Sequence, residues 1–182
     1  LRPLNLYGGY CVDSLDKTRF VPLYSYDQTG KPHEELSAYH PRHEELIQYK
    51  MGYSTPILSP TGGMKISALD LANYMMMHMN YGRSQGKTII RKKYARIMQT
   101  PVNKESGYGL AIMNDTKIVP GVTLTGHTGS AYGLYSAMFF HPKQKYGFIV
   151  ITNGCNIPDS EEFNPLLKDC INVLYNVYIK AK

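Results

Sequence analysis

The residues with the most chemistry in the least space are Thr125-Gly126-His127-Thr128-Gly129-Ser130. His127 brings an imidazole, whose charge is conditional near neutrality. Thr128 and Ser130 bring hydroxyls, and a serine hydroxyl becomes a nucleophile only beside a base. Gly126, Gly129 and Gly133 bracket them. Glycine in a strand context marks a bulge or a place where another backbone or a ligand comes close. The stretch reads as the end of one strand, a glycine-rich turn, and a second apolar strand from Leu134 to Phe140. On residue types alone it reads first as a plain hairpin with permissive turn residues.

Other arrangements fail on spacing. Gly129-Ser130-Ala131-Tyr132-Gly133 is not Gly-x-Ser-x-Gly, because the serine follows the first glycine directly. His33-Glu34-Glu35-Leu36 and His43-Glu44-Glu45-Leu46 both lack the second histidine of a zinc-protease helix, and His33, His40 and His43 beside glutamates read as solvated loop residues. No metal site is implied. Ser14-Leu15-Asp16-Lys17 is a formal Ser-x-x-Lys, but 11 serines and 14 lysines in 182 residues yield about one such match by chance. Pro22 also denies it a long helix, so Ser14 is weighed as a nucleophile and set aside. Cys11, Cys155 and Cys170 are odd in number and scattered, which is neither a disulfide framework nor a metal spacing. Cys170 falls on an apolar helical face as a small core residue.

The net charge of +6 contains no like-charge run longer than Arg91-Lys92-Lys93. No nucleic-acid module pattern accompanies it, so the charge reads as a solvated basic face. A hydrophobic content of 43% argues against disorder. No apolar run reaches transmembrane length, and Leu1-Arg2-Pro3 is not a signal segment. The chain reads as an excised or processed piece.

The elements that must position residues 125–130 are readable in outline. Ser67 is a helix N-cap with Asp70 supporting the dipole. The helix runs to about Asn80, with Leu71, Tyr74, Met75 and His78 at helical spacing, and Gly82 ends it. A methionine-rich core face explains Met75-Met76-Met77 and Met79. A short helix over Arg91 to Gln99 stops at Thr100-Pro101. Tyr108 to Met113 reads as a strand with Asn114-Asp115 as its turn. Leu134–Phe140, a turn over 141–145 and Tyr146–Thr152 form a hairpin. The unalternating Phe148-Ile149-Val150-Ile151 demands cover on both faces. Asn164-Pro165 open a last helix with Leu167, Cys170, Ile171, Leu174, Val177 and Tyr178 as its apolar stripe. Residues 1–58 are irregular, with a short strand and turn over 21–32 and a surface loop or short helix around the two His-Glu-Glu-Leu pieces. The expected fold is α+β: an antiparallel sheet and terminal helix over 107–182, and a partial helical lobe with irregular segments over 1–106.

Gly126-His127-Thr128-Gly129, followed by an apolar strand, a Pro-containing turn and Gly147-Phe148-Ile149-Val150-Ile151-Thr152-Asn153, resembles the C-terminal region of the serine beta-lactamase-like family of class C beta-lactamases, DD-peptidases and esterases. Ser59-Pro60-Thr61-Gly62-Gly63-Met64 before Ser67-Ala68-Leu69-Asp70-Leu71-Ala72 resembles its glycine pair before a helix. Tyr108-Gly109-Leu110 also fits, and Pro3-Leu4-Asn5-Leu6 resembles its Pro-Leu-Gly-Met turn. The resemblance implies a serine acyl-transfer hydrolase acting on an amide or ester, a D-amino-acid peptide or a beta-lactam-related substrate, without a cofactor. It implies catalytic roles for His127 and for the Ser130 backbone N–H as an oxyanion donor, and substrate binding at Thr128 and Gly129. His-Thr-Gly in place of Lys-Thr-Gly tilts the substrate toward peptidase or esterase chemistry. The family's Tyr-x-Asn occurs nowhere in the sequence, so nucleophile and base are expected in a missing N-terminal half, leaving this chain inactive alone. The competing reading is a non-catalytic peptide- or glycan-binding module on the same fold. The resemblance further implies an open sheet edge beside Phe148–Thr152, hence self-association, and work outside the cytoplasm, in the periplasm or the extracellular space.

Overall fold

The structure, a computed structural model, describes residues 1–50, 53, 63–156 and 163–181. In chain order its elements are β1 (Gly8–Gly9), β2 (Tyr24–Tyr26), β3 (Pro32–Glu34), α1 (His43–Ile47), β4 (Lys65–Ile66), α2 (Ala68–Met79), β5 (Arg83–Ser84), β6 (Lys87–Thr88), α3 (Lys92–Met98), β7 (Met113–Asp115), β8 (Leu124–Ala131), β9 (Leu134–His141), β10 (Tyr146–Ile151) and α4 (Pro165–Tyr175). Strands β10-β9-β8-β7 make one four-stranded antiparallel sheet, and β1-β4, β2-β3 and β5-β6 make two-stranded pairs.

The period of two in β9 builds a three-layer core. Ala137 and Phe139 point to one face, where Phe148, Leu167 of α4 and Ile171 of α4 meet them with Ile118, Val119 and Leu124. Met138 and Phe140 point to the other, against Met75 and Met79 of α2. The apolar run in β10 is thus covered on both sides, as its lack of alternation requires. α2 lies close above β10: a Cβ on Gly147 would stand 2.7 Å from the Met75 sulfur.

Local chemistry explains the helix ends. The Ser67 hydroxyl oxygen accepts the Asp70 N–H at 3.1 Å and donates to the Asp70 carboxylate at 2.8 Å, an N-cap worth about 1 kcal/mol. Tyr81 itself takes the left-handed position after α2, at φ 51°, followed by Gly82 at φ 87°. Asn164 caps α4 through its side-chain oxygen, and Pro165 begins it. Buried Met75, Met77 and Met79 make α2 a methionine-rich core helix.

Four details depart from the sequence expectation. Tyr108–Met113 is not a strand: Gly107 (φ 69°) and Ala111 (φ 58°) are left-handed, and a Gly109 N–H to Ile112 carbonyl bond closes a tight turn. The strand begins at Met113, and the Asp115 carboxylate organises the turn after it by accepting the Lys117 and Ile118 N–H groups. The expected glycine-rich turn is instead continuous strand, residues 124–131 all belonging to β8. The turn lies at Tyr132-Gly133, both at positive φ (54° and 75°), the pattern of a two-residue hairpin matched to strand twist. Finally, α4 passes into a π-turn at Asn176–Lys180. Within that turn Ile179 packs against the core while Val177 and Tyr178 are exposed; before it, in the regular helix, Tyr175 packs against the core and Cys170 is only half-buried.

The N-terminal segment is strung across the end of the sheet. The Tyr24 N–H donates to the Asn153 carbonyl at 2.8 Å, and the Asn153 amide donates to the Pro22 carbonyl at 3.2 Å across 131 residues. A Cβ on Gly133 would stand 2.0 Å from the Tyr24 carbonyl oxygen, so glycine is required where this arm meets the hairpin.

Candidate functional site

Strand β8 carries the candidate residues, and it changes character halfway. Its first three residues pair with β7 through Asp115↔Leu124, Asn114↔Thr125 and Met113↔Gly126, and Thr125 and Gly126 pair with β9 as well. Leu124, Thr125 and Gly126 are buried there. From His127 onward β8 pairs with β9 alone, so among the described residues no strand covers its outer edge. His127 and Gly129, opposite Met138 and Ser136, lie on the α2 face. Thr128 and Ser130 alternate to the other face and are exposed.

A polar chain anchors the base of this wall. The buried Thr125 hydroxyl donates to the Asn114 side-chain oxygen at 2.8 Å. The Asn114 amide donates to the Gln99 carbonyl at 3.3 Å, and the Gln99 amide donates to the His78 carbonyl at 2.8 Å. The wall is thereby tied through α3 to the end of α2. The His78 ring beside this chain is fully buried, edge-on to Tyr74, with neither nitrogen hydrogen-bonded. Burial pushes its pKa down to about 4, because a charged imidazole there loses hydration without gaining a partner.

Both nitrogens of His127 are engaged. Nδ1 lies 2.5 Å from the Thr128 carbonyl oxygen, and Nε2 lies 2.5 Å from the Tyr108 hydroxyl. A carbonyl only accepts, so Nδ1 carries the proton. In the neutral ring Nε2 is then an acceptor, and the Tyr108 O–H donates to it. The two rings meet edge to face, with centroids 5.6 Å apart. Tyr108 is held by its backbone: its carbonyl accepts the Val102 and Asn103 N–H groups at 2.8 and 3.2 Å. Tyr108 was not among the sequence candidates for the site. The available signal was an aromatic flanked by Gly107 and Gly109, two residues whose Cβ atoms would stand 2.3 Å from backbone oxygens.

Two cavities flank the wall. One of about 660 Å³ lies beyond the free end of β8, lined mainly by apolar groups such as Phe20, Tyr39, Ala131 and Leu134, with Lys65 in its side. Desolvation, and then the nearby Arg42 charge, lower the Lys65 pKa. The other, about 880 Å³ and polar, lies at the rooted end around Arg96, Asn114, Thr125 and Lys143. Neither is lined by His127.

The remaining sequence candidates lie apart. Ser14 closes one 3₁₀ turn and its hydroxyl donates to the Cys11 carbonyl at 3.0 Å, while Lys17 opens another. Leu15 between them is extended, so the two side chains do not share a helix face. His33 contacts the Asp27 carboxylate at 3.0 Å and His40 the Pro41 carbonyl at 2.8 Å. Cys11, Cys155 and Cys170 are free thiols. Of the glycine pair before α2, Gly63 is described, and Ser59 to Gly62 lie outside the described residues. Among the described residues no helix is long and apolar enough to cross a membrane.

Comparison with known proteins finds a match to a family model and solved structures of similar fold. The sequence model of the beta-lactamase family matches residues 16–170. Among solved structures, an octameric penicillin-binding protein homologue from Pyrococcus abyssi superposes with a TM-score of 0.62 at 22% identity, over 97% of this chain and 36% of its own. A D-stereospecific amidohydrolase from Streptomyces sp. superposes with a TM-score of 0.63 at 21% identity, over 98% of this chain and 46% of its own. The chain therefore spans less than half the length of either structure. No curated protein matches it.

Proposed function

This chain belongs to the beta-lactamase family, and from that premise we propose that it is the C-terminal portion of a serine acyl-transfer hydrolase and supplies one wall of the active site. The observation that carries the reading is the half-paired strand β8, which presents His127-Thr128-Gly129 at an edge that no described strand covers. A substrate backbone lying along that edge meets main-chain groups that no second described strand pairs, and Gly129 adds no side chain to obstruct it. In the proposed reaction a serine oxygen bonds to an amide or ester carbonyl carbon while its proton passes to a neighbouring base. The carbon–leaving-group bond then breaks as the leaving group is protonated, and water hydrolyses the acyl-serine. The Ser130 backbone N–H is proposed as one oxyanion donor, a contribution of about 3 kcal/mol in such sites. Thr128 and Gly129 border the substrate, and His127 belongs to the catalytic wall beside them. The nucleophile and base lie outside this chain, which is inactive alone. Residues 1–106 and 107–182 are two parts of one domain.

The amidohydrolase likeness favours an amide or ester substrate of D configuration, and the octameric homologue favours self-association. The outer edge of β10, at the end of the four-strand order, is the proposed surface for it. A sedimentation profile that stays monomeric at high concentration would remove that part of the proposal.

The test is reaction of the longest natural protein containing this chain with a fluorescent penicillin or fluorophosphonate, read by intact mass. A covalent adduct on a serine outside residues 1–182 supports the reading. An adduct on Ser14 places the nucleophile within the chain and overturns it. The absence of any adduct favours a peptide- or glycan-binding module, a reading that draws on the absence of Tyr-x-Asn from the sequence.

A further inference from the structure

We infer that Tyr108, not His127, is the polar group this wall turns toward a substrate, and that its oxygen selects a hydrogen-bond donor such as an amide N–H over a carboxylate. The inference rests on the proposed acyl-transfer reading for the identity of the substrate edge of β8, but its geometry stands separately. The proton on His127 Nδ1 is directed to the Thr128 carbonyl, and Nε2 is occupied by the Tyr108 hydroxyl. A neutral imidazole bonded at both nitrogens has nothing left to offer a ligand. Tyr108 is 38% exposed and sits beside the uncovered edge of β8. Because its only proton points at His127, its oxygen presents lone pairs outward. Lone pairs repel a carboxylate and accept from N–H or O–H. His127 is thus a positioning residue that fixes the direction of the Tyr108 proton, and Tyr108 is the specificity-determining contact.

Long-range proton–nitrogen NMR of the longest natural protein containing this chain, at about pH 8, where an ordinary imidazole is neutral, reads the tautomer directly. N-acetyl-D-alaninamide and N-acetyl-D-alanine, titrated separately, then read the preference. The expected result is a protonated Nδ1, a hydrogen-bonded Nε2, and binding of the amide at least about tenfold tighter than the carboxylate, the scale of one hydrogen bond to a charged or polar group. In Tyr108→Phe the Nε2 resonance moves toward its unbonded position and the tenfold preference disappears. A protonated Nε2 in the wild type, an Nε2 resonance unmoved by Tyr108→Phe, equal binding of both ligands, or binding of neither overturns the inference. The wild-type tautomer and preference decide the matter even if the variant does not fold. Failure of the acyl-transfer reading shows in the adduct experiment and leaves these spectra unchanged.

Discussion

The two halves of β8 are one strand under two sets of rules. Residues 124–126 are buried and paired with β7, Thr125 and Gly126 with β9 as well, whereas residues 127–131 are paired with β9 alone and alternate between half-buried and exposed. The first half has its backbone bonds closed and its side chains packed. The second keeps backbone groups and an imidazole at an open edge, continuous with the buried and paired first half. The candidate residues begin where pairing with β7 stops, one residue after the strand is anchored. The glycines show the same division. A Cβ on Gly126 would stand 1.9 Å from the Met138 carbonyl oxygen, which is backbone, and a Cβ on Gly129 would stand 2.6 Å from the Ser136 hydroxyl, which can rotate away.

That contrast is broken most forcefully at Gly126. Gly126→Val is expected to destabilise by more than about 3 kcal/mol, the range of severe overpacking. Gly129→Ala should cost about 1 kcal/mol, because only a side chain has to move. Equal losses in urea unfolding would show that the two halves are not held differently.

The next largest effect is expected at the buried His78. Its folded pKa of about 4 lies below the ordinary 6.5, so the unfolded chain binds the extra proton between those values. The stability contributed by keeping the ring neutral is present above about pH 6.5 and is lost as pH falls toward 4, by about 3 kcal/mol in all. Urea midpoints between pH 8 and pH 4 should show this slope, and His78→Phe should remove its part of it. A slope unchanged in the variant would assign the acid sensitivity elsewhere.

Smaller effects sharpen the boundary. Asn114→Ala leaves the buried Thr125 hydroxyl without its acceptor and is expected to cost about 1–3 kcal/mol. Thr128→Ala, two residues past the last β7 pairing and exposed, should change stability by less than about 0.5 kcal/mol. A thermal-melt series placing Thr128 above Asn114 would reverse the assignment of rooted and free halves.

Much of the frame was legible in the sequence because its signals are local. Ser67 three residues before Asp70, Pro165 after Asn164, and the unbroken Phe148-Ile149-Val150-Ile151 each act through their immediate neighbours. The misplaced features have non-local causes. Tyr132-Gly133 forms the hairpin turn although glycines at 126 and 129 carry an equal turn signal, because register with β9 decides which glycine bends the chain. Tyr108–Met113 has strand-forming residues, but left-handed Gly107 and Ala111 override them. At the site, His127-Thr128-Gly129 was legible as a motif. Its contact with Tyr108 spans 19 residues and follows from where β7 begins, at Met113 opposite Gly126, which no local pattern announces. The π-turn after α4 likewise hides in a stripe that looks regularly helical.

The arm that crosses the end of the sheet has a consequence in time. Pro22 and Tyr24 bond to Asn153, more than a hundred residues later. During synthesis at roughly 5–20 residues per second, the arm emerges and waits on the order of ten seconds for its partner. Throughout that interval β2 has its hairpin neighbour β3 but no sheet end to lie against. Its docking is therefore a late folding event, and this wait is the stage at which the nascent chain most needs protection from mispairing.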